Sequence, residues 1–178
     1  DRVTLVGNSL GGAVALGLSL RNPDRVEKLI LMAPGGIESR EVYFAMPGIQ
    51  AMVKHPMGSP GFTTDVLAAL LTQLVYDPSA VDAALVDERW ATLETQNPHV
   101  LATMNIPDMT DRLREIDIAT LVFWGSEDRF CPASGCWKVL QMKGPVQAEI
   151  LNQCGHWVMS EYPGLFNKRC LSFLSDEG

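Results

Sequence analysis

The stretch GNSLGG at residues 7–12 follows the short apolar run 3–6 and leads into a run rich in Ala and Leu. An apolar run before a turn predicts a strand, and the leucine spacing after the turn predicts a helix. A serine between glycines at a strand-to-helix turn is typical of a nucleophile elbow, in which the serine sits on a tight, strained turn. We expect Gly7 and Gly11 to leave room for the backbone to cross itself, and Gly12 to let the helix pack closely.

The segments around this turn alternate between strand and helix patterns. The helix predicted over 9–20 stops at Asn22 and Pro23, and the apolar run 28–32 predicts the next strand. A strand–helix–strand unit builds a parallel sheet, because the crossover helix returns the chain to the same end. The alternation resumes later, with a strand over 119–124, a helix over 133–143, a strand over 147–151 and a helix over 164–174. The sequence therefore predicts an α/β fold with a mostly parallel sheet.

The long segment between the second and third predicted strands has a different character. No strand pattern occurs there, and helical periods dominate, most clearly over 63–76 and 79–96. Met, Pro and Gly punctuate the stretch before these two helices. We therefore predict a core formed by 1–37 and 113–178, and an inserted helical lid formed by 38–112.

Composition narrows the classes of partner. The chain has 178 residues, of which 47% are hydrophobic, and a net charge of −7 from 14 basic and 21 acidic residues. Nucleic acids and anionic membranes attract clustered Lys and Arg, so this charge disfavours both as main partners. No apolar run reaches the roughly 18 residues that a membrane span needs. We expect a protein that acts on a small molecule.

The cysteines and the start of the chain lead to two further expectations. The cysteines fit no paired metal-binding spacing, so we interpret them as reduced thiols of a cytoplasmic protein without a metal site. The sequence begins at Asp1, without a Met, and enters a strand at once, which indicates a fragment. The four cysteines are Cys131, Cys136, Cys154 and Cys170.

A nucleophilic Ser9 needs a base and an oxyanion donor. His156 follows the fourth predicted strand, within CGHW, at the carboxyl end where sites of parallel sheets gather. For His55, in an irregular stretch, and His99, after a helix of the lid, we predict surface positions. His156 is therefore the predicted base, and the backbone N–H of Leu10, at the helix start, is the predicted oxyanion donor.

The base in turn needs an orienting carboxylate. The sequence GSED at 125–128 follows the third predicted strand, at the same edge of the sheet. Asp128 is the candidate for the carboxylate that orients His156, and Glu127 is the alternative. Alternatively, Asp128 could have a structural role, in an ion pair with Arg129. The resulting chain order of serine, acid and histidine is the one expected after a nucleophile elbow of this type.

One cation of the predicted lid lies on the apolar side of its helix. At about 100° per residue, Arg89 falls in the middle of an apolar arc of the helix predicted over 79–96. A guanidinium on such a face needs an anion. Asp82 or another carboxylate of the protein could supply it, or a substrate carboxylate or enolate, which fits the arginine fork. The arc consists of Val81, Leu85, Val86, Trp90 and Leu93.

Six segments together carry a resemblance. They are GNSLGGAVAL at 7–16, KLILMAPGG at 28–36, YDPSAV at 76–81, DERW at 87–90, FWGSEDRF at 123–130 and CGHW at 154–157. Over essentially its whole length the chain resembles the meta-cleavage product hydrolases. These are carbon–carbon bond hydrolases of the α/β-hydrolase superfamily that act in bacterial degradation of aromatic rings. The glycine–serine turn and the acid and histidine positions are shared across the superfamily, whereas GNS, the APGG turn, ERW of the predicted lid and CGHW together indicate this family.

The resemblance implies hydrolysis of 2-hydroxy-6-oxo-hexa-2,4-dienoates, without a metal or organic cofactor, by a homo-oligomer at full length. Ser9, Asp128 and His156 match the catalytic triad of the family. In its mechanism the dienol is ketonised with help from the histidine; serine or water then adds to the distant carbonyl, and the carbon–carbon bond breaks. Three further positions match substrate contacts: Asn8 beside the serine, Arg89 at the carboxylate or oxyanion end, and Trp157 at the pocket border.

The chain departs from this family at its N-terminus. It lacks the early strands of the family, and with them the second oxyanion donor and the sheet neighbours of 3–6. We therefore expect the 178-residue chain by itself to expose one edge of its sheet, and to have low stability and little activity.

Two other functions stay open. A carboxylic ester hydrolase of the same fold would keep the triad but would not need Arg89. A non-catalytic binding protein on this fold would need neither the triad nor Arg89. The presence of Ser9, Asp128 and His156 together disfavours this function.

Overall fold

The computed structural model describes residues 1–103 and 105–175. These residues form a sheet of four parallel strands, and each strand pairs with its neighbours in chain order. The predicted α/β class, the parallel sheet and the four strands are confirmed. Residue 104 of the predicted lid and residues 176–178 of the predicted core lie outside the described residues. The strands are β1 (Val3–Asn8), β2 (Val26–Met32), β3 (Ala119–Gly125) and β4 (Val146–Leu151).

Helices cover both faces of the sheet and occupy much of the segment between β2 and β3. Within the described residues, three short 3₁₀ helices accompany them, at Pro23–Arg25, Pro78–Ala80 and Thr110–Glu115. The α-helices are α1 (Leu10–Arg21), α2 (Arg40–Ala45), α3 (Pro47–Lys54), α4 (Thr64–Leu74), α5 (Ala83–Glu94), α6 (Pro98–Thr103), α7 (Gly135–Val139), α8 (Val158–Glu161) and α9 (Pro163–Ser175). None of these described helices is both long and apolar enough to cross a bilayer.

The central strands β2 and β3 are apolar on both faces because helices cover both. Successive side chains of a strand point to opposite faces, so alternate residues enter two separate clusters. One cluster, with α1 and α7, contains Leu29, Leu31, Val122 and Trp124. The other, with α8 and α9, contains Ile30, Met32, Leu121 and Phe123. This packing fixes the register of the strands whose carboxyl ends carry the site.

The strand β1 lies at one edge of the sheet and carries exposed apolar side chains. Val3 is 47% exposed and Val6 is 59% exposed. Leu10, Val14 and Leu18 form an exposed row along one face of α1, because residues four apart share a helix face. The expected low stability and activity of the chain stay predictions.

The helices α4 and α5 pack on each other through the predicted apolar arc, which is confirmed. The helix predicted over 79–96 is nevertheless divided. The Asp77 carboxylate accepts the N–H of Ser79 and starts a short 3₁₀ turn, and the Asp82 carboxylate accepts the N–H of Leu85 at 2.8 Å and starts α5. Two successive caps therefore begin two helices where the periodicity predicted one.

Two other parts of the chain differ from the predictions. The stretch before α4, where no helix was assigned, contains α2, which the Ser39 hydroxyl caps, and α3, which Pro47 begins. The helix predicted over 133–143 is shorter, because the N–H groups of Lys143 and Gly144 donate to the carbonyl of Ile116 at 3.0 and 3.1 Å. That pair of bonds turns the chain toward β4 before the helix can continue.

The turn between β1 and α1 has the strained geometry expected of GNSLGG. Ser9 has φ 52° and ψ −113°, which residues with a side chain rarely adopt. A Cβ on Gly7 would lie 2.4 Å from the carbonyl carbon and oxygen of Gly11, and one on Gly12 would lie 2.6 Å from Pro34. A Cβ on Gly11 would meet nothing within 4 Å, so the expectation that Gly11 must lack a side chain is wrong. It is the backbone of Gly11 that lies against Gly7.

We expect Gly7→Ala to lower the free energy of unfolding by about 1–3 kcal/mol, because its methyl group would overlap rigid backbone. Gly11→Ala is the matched control: its methyl group enters open space, and Ala is favoured over Gly in a helix by about 1 kcal/mol. Urea unfolding followed by circular dichroism measures both variants. Equal destabilisation of the two would contradict the crossing of the backbone at this turn.

Candidate active site

Ser9 lies at the carboxyl edge of the sheet, where its backbone is fixed on both sides. Its N–H donates to the carbonyl of Met32 at 3.0 Å, and its own carbonyl accepts the N–H of Gly35 at 2.8 Å. The end of β2 and the turn after it therefore hold the strained residue in place. Leu10 begins α1, so its N–H has no acceptor within that helix and lies beside the serine.

The structure brings His156 and Asp128 together from two loops that follow different strands. Nδ1 of His156 lies 2.7 Å from Oδ2 of Asp128, and the two side chains are almost completely buried. Oδ1 of Asp128 accepts the N–H groups of Phe130 and Cys131 at 2.8 and 2.9 Å. Both carboxylate oxygens are therefore satisfied, and one of them holds the imidazole by its Nδ1 side.

Of the two carboxylates considered, Glu127 faces elsewhere. Its Oε2 accepts the hydroxyl of Ser126 at 2.5 Å and the N–H of Cys154 at 3.0 Å. The Ser126 hydrogen bond lowers the pKa of Glu127 below its ordinary value. Glu127 ties the loop after β3 to the loop after β4, and it does not contact the imidazole. Among the described ion pairs, none joins Asp128 to Arg129.

The loop that carries His156 is held from three directions. Its backbone N–H donates to the carbonyl of Leu74 at 2.8 Å, and its backbone carbonyl accepts Nδ2 of Asn8 at 3.2 Å. The same Asn8 nitrogen also donates to the carbonyl of Met32 at 3.1 Å. The ring of Phe130 lies against the imidazole, with ring centroids 5.2 Å apart. The predicted substrate residue Asn8 thus also joins the serine turn to the histidine loop.

Ser9 and His156 line the same cavity, of about 320 Å³, under the helices α4 and α5. The polar side chains of its wall include Asn8 and Arg89, and Trp157 closes one side. The rest of the wall is largely apolar and includes Met52, Met57, Leu67, Leu70, Leu71 and Phe130. A second cavity of about 500 Å³ also reaches Ser9 and is lined by more polar side chains of the segment after β2.

Arg89 reaches this cavity from α5 and lies over the ring of Trp157, with 5.3 Å from the guanidinium carbon to the ring centroid. Its ion pair is with the neighbouring Glu88 at 3.7 Å, and the Arg89 side chain is 43% exposed. Asp82, the structural partner considered from the sequence, caps α5 instead. The apolar neighbour that stabilises the guanidinium is therefore an aromatic face, and no buried carboxylate of the described residues neutralises it.

The remaining predicted residues lie away from this cavity. His55 ends α3, and His99 is exposed in α6. No group of three or more His, Cys, Asp or Glu side chains in the described ranges is arranged to hold a metal ion. The expectation that no metal or cofactor takes part stays a prediction.

Sequence reasoning missed Phe130 and the carbonyl of Leu74. Phe130 had a local signal, because an Asp often accepts the N–H groups two and three residues further on, which sets the direction of the turn after it. Leu74 had none, because a backbone carbonyl that ends a helix looks the same for every residue type.

The comparisons with known proteins identify the family and the fold of the chain. The model described as "Alpha/beta hydrolase family" matches residues 1–169. A 2-hydroxy-6-oxononadienedioate/2-hydroxy-6-oxononatrienedioate hydrolase of Comamonas testosteroni is 35% identical over 186 residues, and a 2-hydroxy-6-oxo-6-phenylhexa-2,4-dienoate hydrolase of Burkholderia cepacia is equally similar. Each alignment covers 99% of this chain and 64% of the relative, so the chain spans less than two thirds of the length of these relatives.

A solved structure shows the same fold. A meta-cleavage product hydrolase from Pseudomonas fluorescens superposes with a TM-score of 0.83 at 23% identity, over 100% of this chain and 66% of that chain. At that identity the likeness shows the fold alone. Together with the two relatives, it confirms the resemblance that the six sequence segments carry.

The cysteines near the site give a test of its packing. All four are free thiols, as expected. Burial raises the pKa of Cys131, Cys136 and Cys154, and the charge of Asp128 raises that of Cys131 further. Cys170, which is half-buried, also has a raised pKa, but it is open to solvent in part.

We expect iodoacetamide at pH 8 to modify Cys170 first and to leave Cys131, Cys136 and Cys154 largely unmodified, because those three thiols are buried away from the reagent whereas Cys170 is in part exposed. Between pH 8 and pH 9.5 the rate at Cys170 should rise as its thiolate fraction rises. Mass spectrometry of peptides after timed labelling measures each site. Labelling in urea is the control, since all four thiols should then react alike. If Cys131 of the native protein reacted as fast as Cys170, the thiol of Cys131 would not be buried by the loop after Asp128.

Proposed function

Because the chain belongs to the alpha/beta hydrolase family, we propose that it carries the catalytic residues of a carbon–carbon bond hydrolase. Its substrates are 2-hydroxy-6-oxo-hexa-2,4-dienoates, the products of aromatic ring fission. One observation carries the proposal: the buried pair of His156 and Asp128 opens onto the cavity that Ser9 and Arg89 also line. The resemblance to relatives that are named for such substrates supports it.

In this proposal His156 is the base and later the acid, and Asp128 fixes its tautomer. The carboxylate oxygen 2.7 Å from Nδ1 favours a proton on that nitrogen, which leaves Nε2 as the base toward the cavity. The second carboxylate oxygen is occupied by two backbone N–H groups, so Asp128 cannot rotate away. The positive charge that forms on the imidazole is then stabilised by a fixed, desolvated anion.

Ser9 is the proposed nucleophile or the activator of the attacking water. The strained elbow presents its hydroxyl at the start of α1, where the N–H of Leu10 would donate to the oxyanion that forms on the substrate. The dienol is first ketonised with help from His156: its hydroxyl loses a proton and the carbon next to the distant carbonyl gains one, which leaves a 2-oxo group conjugated to a carbon–carbon double bond. Addition to the distant carbonyl is then followed by cleavage of the adjacent carbon–carbon bond, and the conjugated 2-oxo group accepts the electron pair. The electron pair of that bond passes to the dienoate half, which takes a proton from the imidazolium of His156, while the other half leaves as a carboxylic acid with oxygen from water.

Arg89, Trp157 and Asn8 are the proposed substrate-binding side chains. The Arg89 guanidinium, which no buried carboxylate of the described residues occupies, would bind the substrate carboxylate, and the Trp157 ring would hold the guanidinium in place. Because the amide nitrogen of Asn8 is engaged by two protein carbonyls, we assign its side-chain oxygen to the substrate. An acceptor there suits the 2-hydroxyl group better than the carboxylate.

The setting of the enzyme is also part of the proposal. The acidic composition and the apolar cavity favour a small-molecule substrate over nucleic acid or a membrane surface. From the resemblance and from the free thiols, we propose a cytoplasmic protein that forms a homo-oligomer at its natural length.

We expect Ser9→Ala and His156→Ala each to lower the turnover number for a dienoate ring-fission product by about a thousandfold or more, because both act in the same steps. The decay of the visible absorbance of the dienoate measures turnover, in the polypeptide that carries this sequence at its natural length. Labelling by a fluorophosphonate gives an independent readout, and we expect it in the wild type and not in Ser9→Ala. An unlabelled wild type without dienoate turnover would indicate a binding protein.

We expect Arg89→Ala to lower kcat/KM for the dienoate by about 10–100-fold, the effect of losing a hydrogen bond to a charged group. Turnover of p-nitrophenyl acetate, which has no carboxylate, should stay within about twofold by the same reasoning. Arg112→Ala is the matched control, because Arg112 pairs with Glu115 on the surface. Ester turnover with no effect of Arg89→Ala on any substrate would favour a carboxylic ester hydrolase.

A further inference from the structure

The loop that carries His156 packs directly on the end of α4, backbone against backbone. The carbonyl of Leu74 accepts two N–H groups, from His156 at 2.8 Å and from Trp157 at 3.2 Å. A Cβ on Gly155 would lie 2.7 Å from that same carbonyl oxygen, which explains why a glycine precedes the histidine. The position of the imidazole is therefore tied to the point at which α4 ends.

One carboxylate joins these two segments. Oε1 of Glu161 accepts the N–H of Gly155 at 2.8 Å, and Oε2 accepts the N–H of Tyr76 at 2.7 Å. The thiol of Cys154 also lies 3.7 Å from Oε1, and burial together with this carboxylate raises the pKa of that thiol. Each oxygen thus holds a different part of the chain, and both partners are backbone groups that a change of side chain elsewhere leaves in place.

Both segments lead to residues that the proposed function uses. From Gly155 the chain continues at once to His156 and Trp157. From Tyr76 it continues through the connection to α5, which carries Arg89. Arg89 in turn lies over Trp157, so α5 also contacts the histidine loop directly.

We propose that Glu161 is a positioning residue whose carboxylate fixes the His156 loop against the end of α4, so that the imidazole and Arg89 keep one arrangement over the cavity. Its effect on turnover rests on the proposed function, whereas its effect on the two segments does not.

The geometry requires a carboxylate of this length. Two N–H donors need two acceptors, and a glutamine offers one oxygen and one NH₂ group, so Glu161→Gln would place a donor against a backbone donor. An aspartate is shorter by one methylene and would not span the two segments. We call the two hydrogen bonds from Tyr76 and Gly155 to Glu161 the Glu161 bridge. This bridge should fail with glutamine, although the size and shape of the side chain are kept.

Glu127, in the loop after β3, supplies a matched control, because its carboxylate also accepts a backbone N–H of the His156 loop. It accepts the N–H of Cys154, which is next to Gly155, but its other contact is the hydroxyl of Ser126 in the loop after β3. Glu127→Gln therefore makes the same chemical change beside the same loop and leaves the bond to Tyr76 intact.

Hydrogen exchange resolved by peptide tests the bridge without any substrate. In Glu161→Gln we expect exchange over 74–77 and over 154–157 to accelerate about 10-fold or more, since each segment loses a hydrogen bond to a charged acceptor. In Glu127→Gln exchange over 74–77 should stay unchanged, and exchange over 154–157 should rise by less than in Glu161→Gln, because one amide oxygen can keep both hydrogen bonds that Oε2 of Glu127 accepts. Unchanged exchange over 74–77 in Glu161→Gln would overturn the proposal, and so would equal acceleration throughout β2 and β3, which would indicate general unfolding.

Kinetics then separate positioning from general structural support. If the wild type turns over the dienoate, Glu161→Gln should lower kcat for both the dienoate and p-nitrophenyl acetate, through His156, and raise KM for the dienoate alone, through Arg89. In the double variant with Arg89→Ala, the KM effect of Glu161→Gln should disappear. A proportional loss of both activities with unchanged KM values would overturn the positioning role. A wild type without turnover would contradict the proposed function and leave the exchange result standing.

Discussion

The buried carboxylate of Asp128 is the group on which the rest of the site depends. A charge removed from water is costly unless hydrogen bonds replace its solvation, and this carboxylate is satisfied by two backbone N–H groups and one imidazole nitrogen. Those bonds fix the turn after it, so that the ring of Phe130 lies against His156. The same turn places the carbonyl of Cys131 where Nε1 of Trp124, a core side chain of β3, donates to it at 2.9 Å. Asp128, His156 and the core are therefore coupled through one short loop.

The parallel sheet is what lets three distant parts of the chain meet. Parallel strands present their carboxyl ends at one edge, so the turns after β1, β3 and β4 all lie along that edge, with the end of β2 between the first two. The end of β2 contributes as well, because the carbonyl of Met32 holds both the backbone of Ser9 and the side chain of Asn8. At the end of β3, a Cβ on Gly125 would lie 2.0 Å from the carbonyl of Gly155, so the two loops touch with no space for a side chain. Close backbone contact replaces side-chain packing at this edge.

The sequence predicted those features that have a local signal. The strands, the elbow at Ser9, the placement of His156 at the carboxyl ends of the strands and the apolar arc of α5 all follow from periodicity or from a position directly after a strand. The contacts that position them could not be predicted, because Leu74 and Glu161 act on backbone groups far away in the chain. The helix expected over 133–143 failed for the same reason, since the carbonyl that ends it belongs to Ile116. Local patterns specify elements and reactive groups, whereas long-range backbone hydrogen bonds set their exact placement.

Arg89, the proposed binding cation, lies at the cavity without a buried carboxylate of the described residues to neutralise it. A fully buried pair with a protein carboxylate would satisfy the guanidinium, but a substrate anion would then have to displace that partner. In this structure the carboxylate of Asp82 is used as a helix cap, and the neighbouring Glu88 is 67% exposed, so that its attraction is weakened by solvent. The Trp157 ring supports the guanidinium through its π face, so that in the proposed function a substrate anion competes only with the exposed Glu88. An anion that enters the largely apolar cavity loses hydration water and gains hydrogen bonds from the Arg89 guanidinium in exchange. The low dielectric constant of the cavity strengthens the attraction between the two charges.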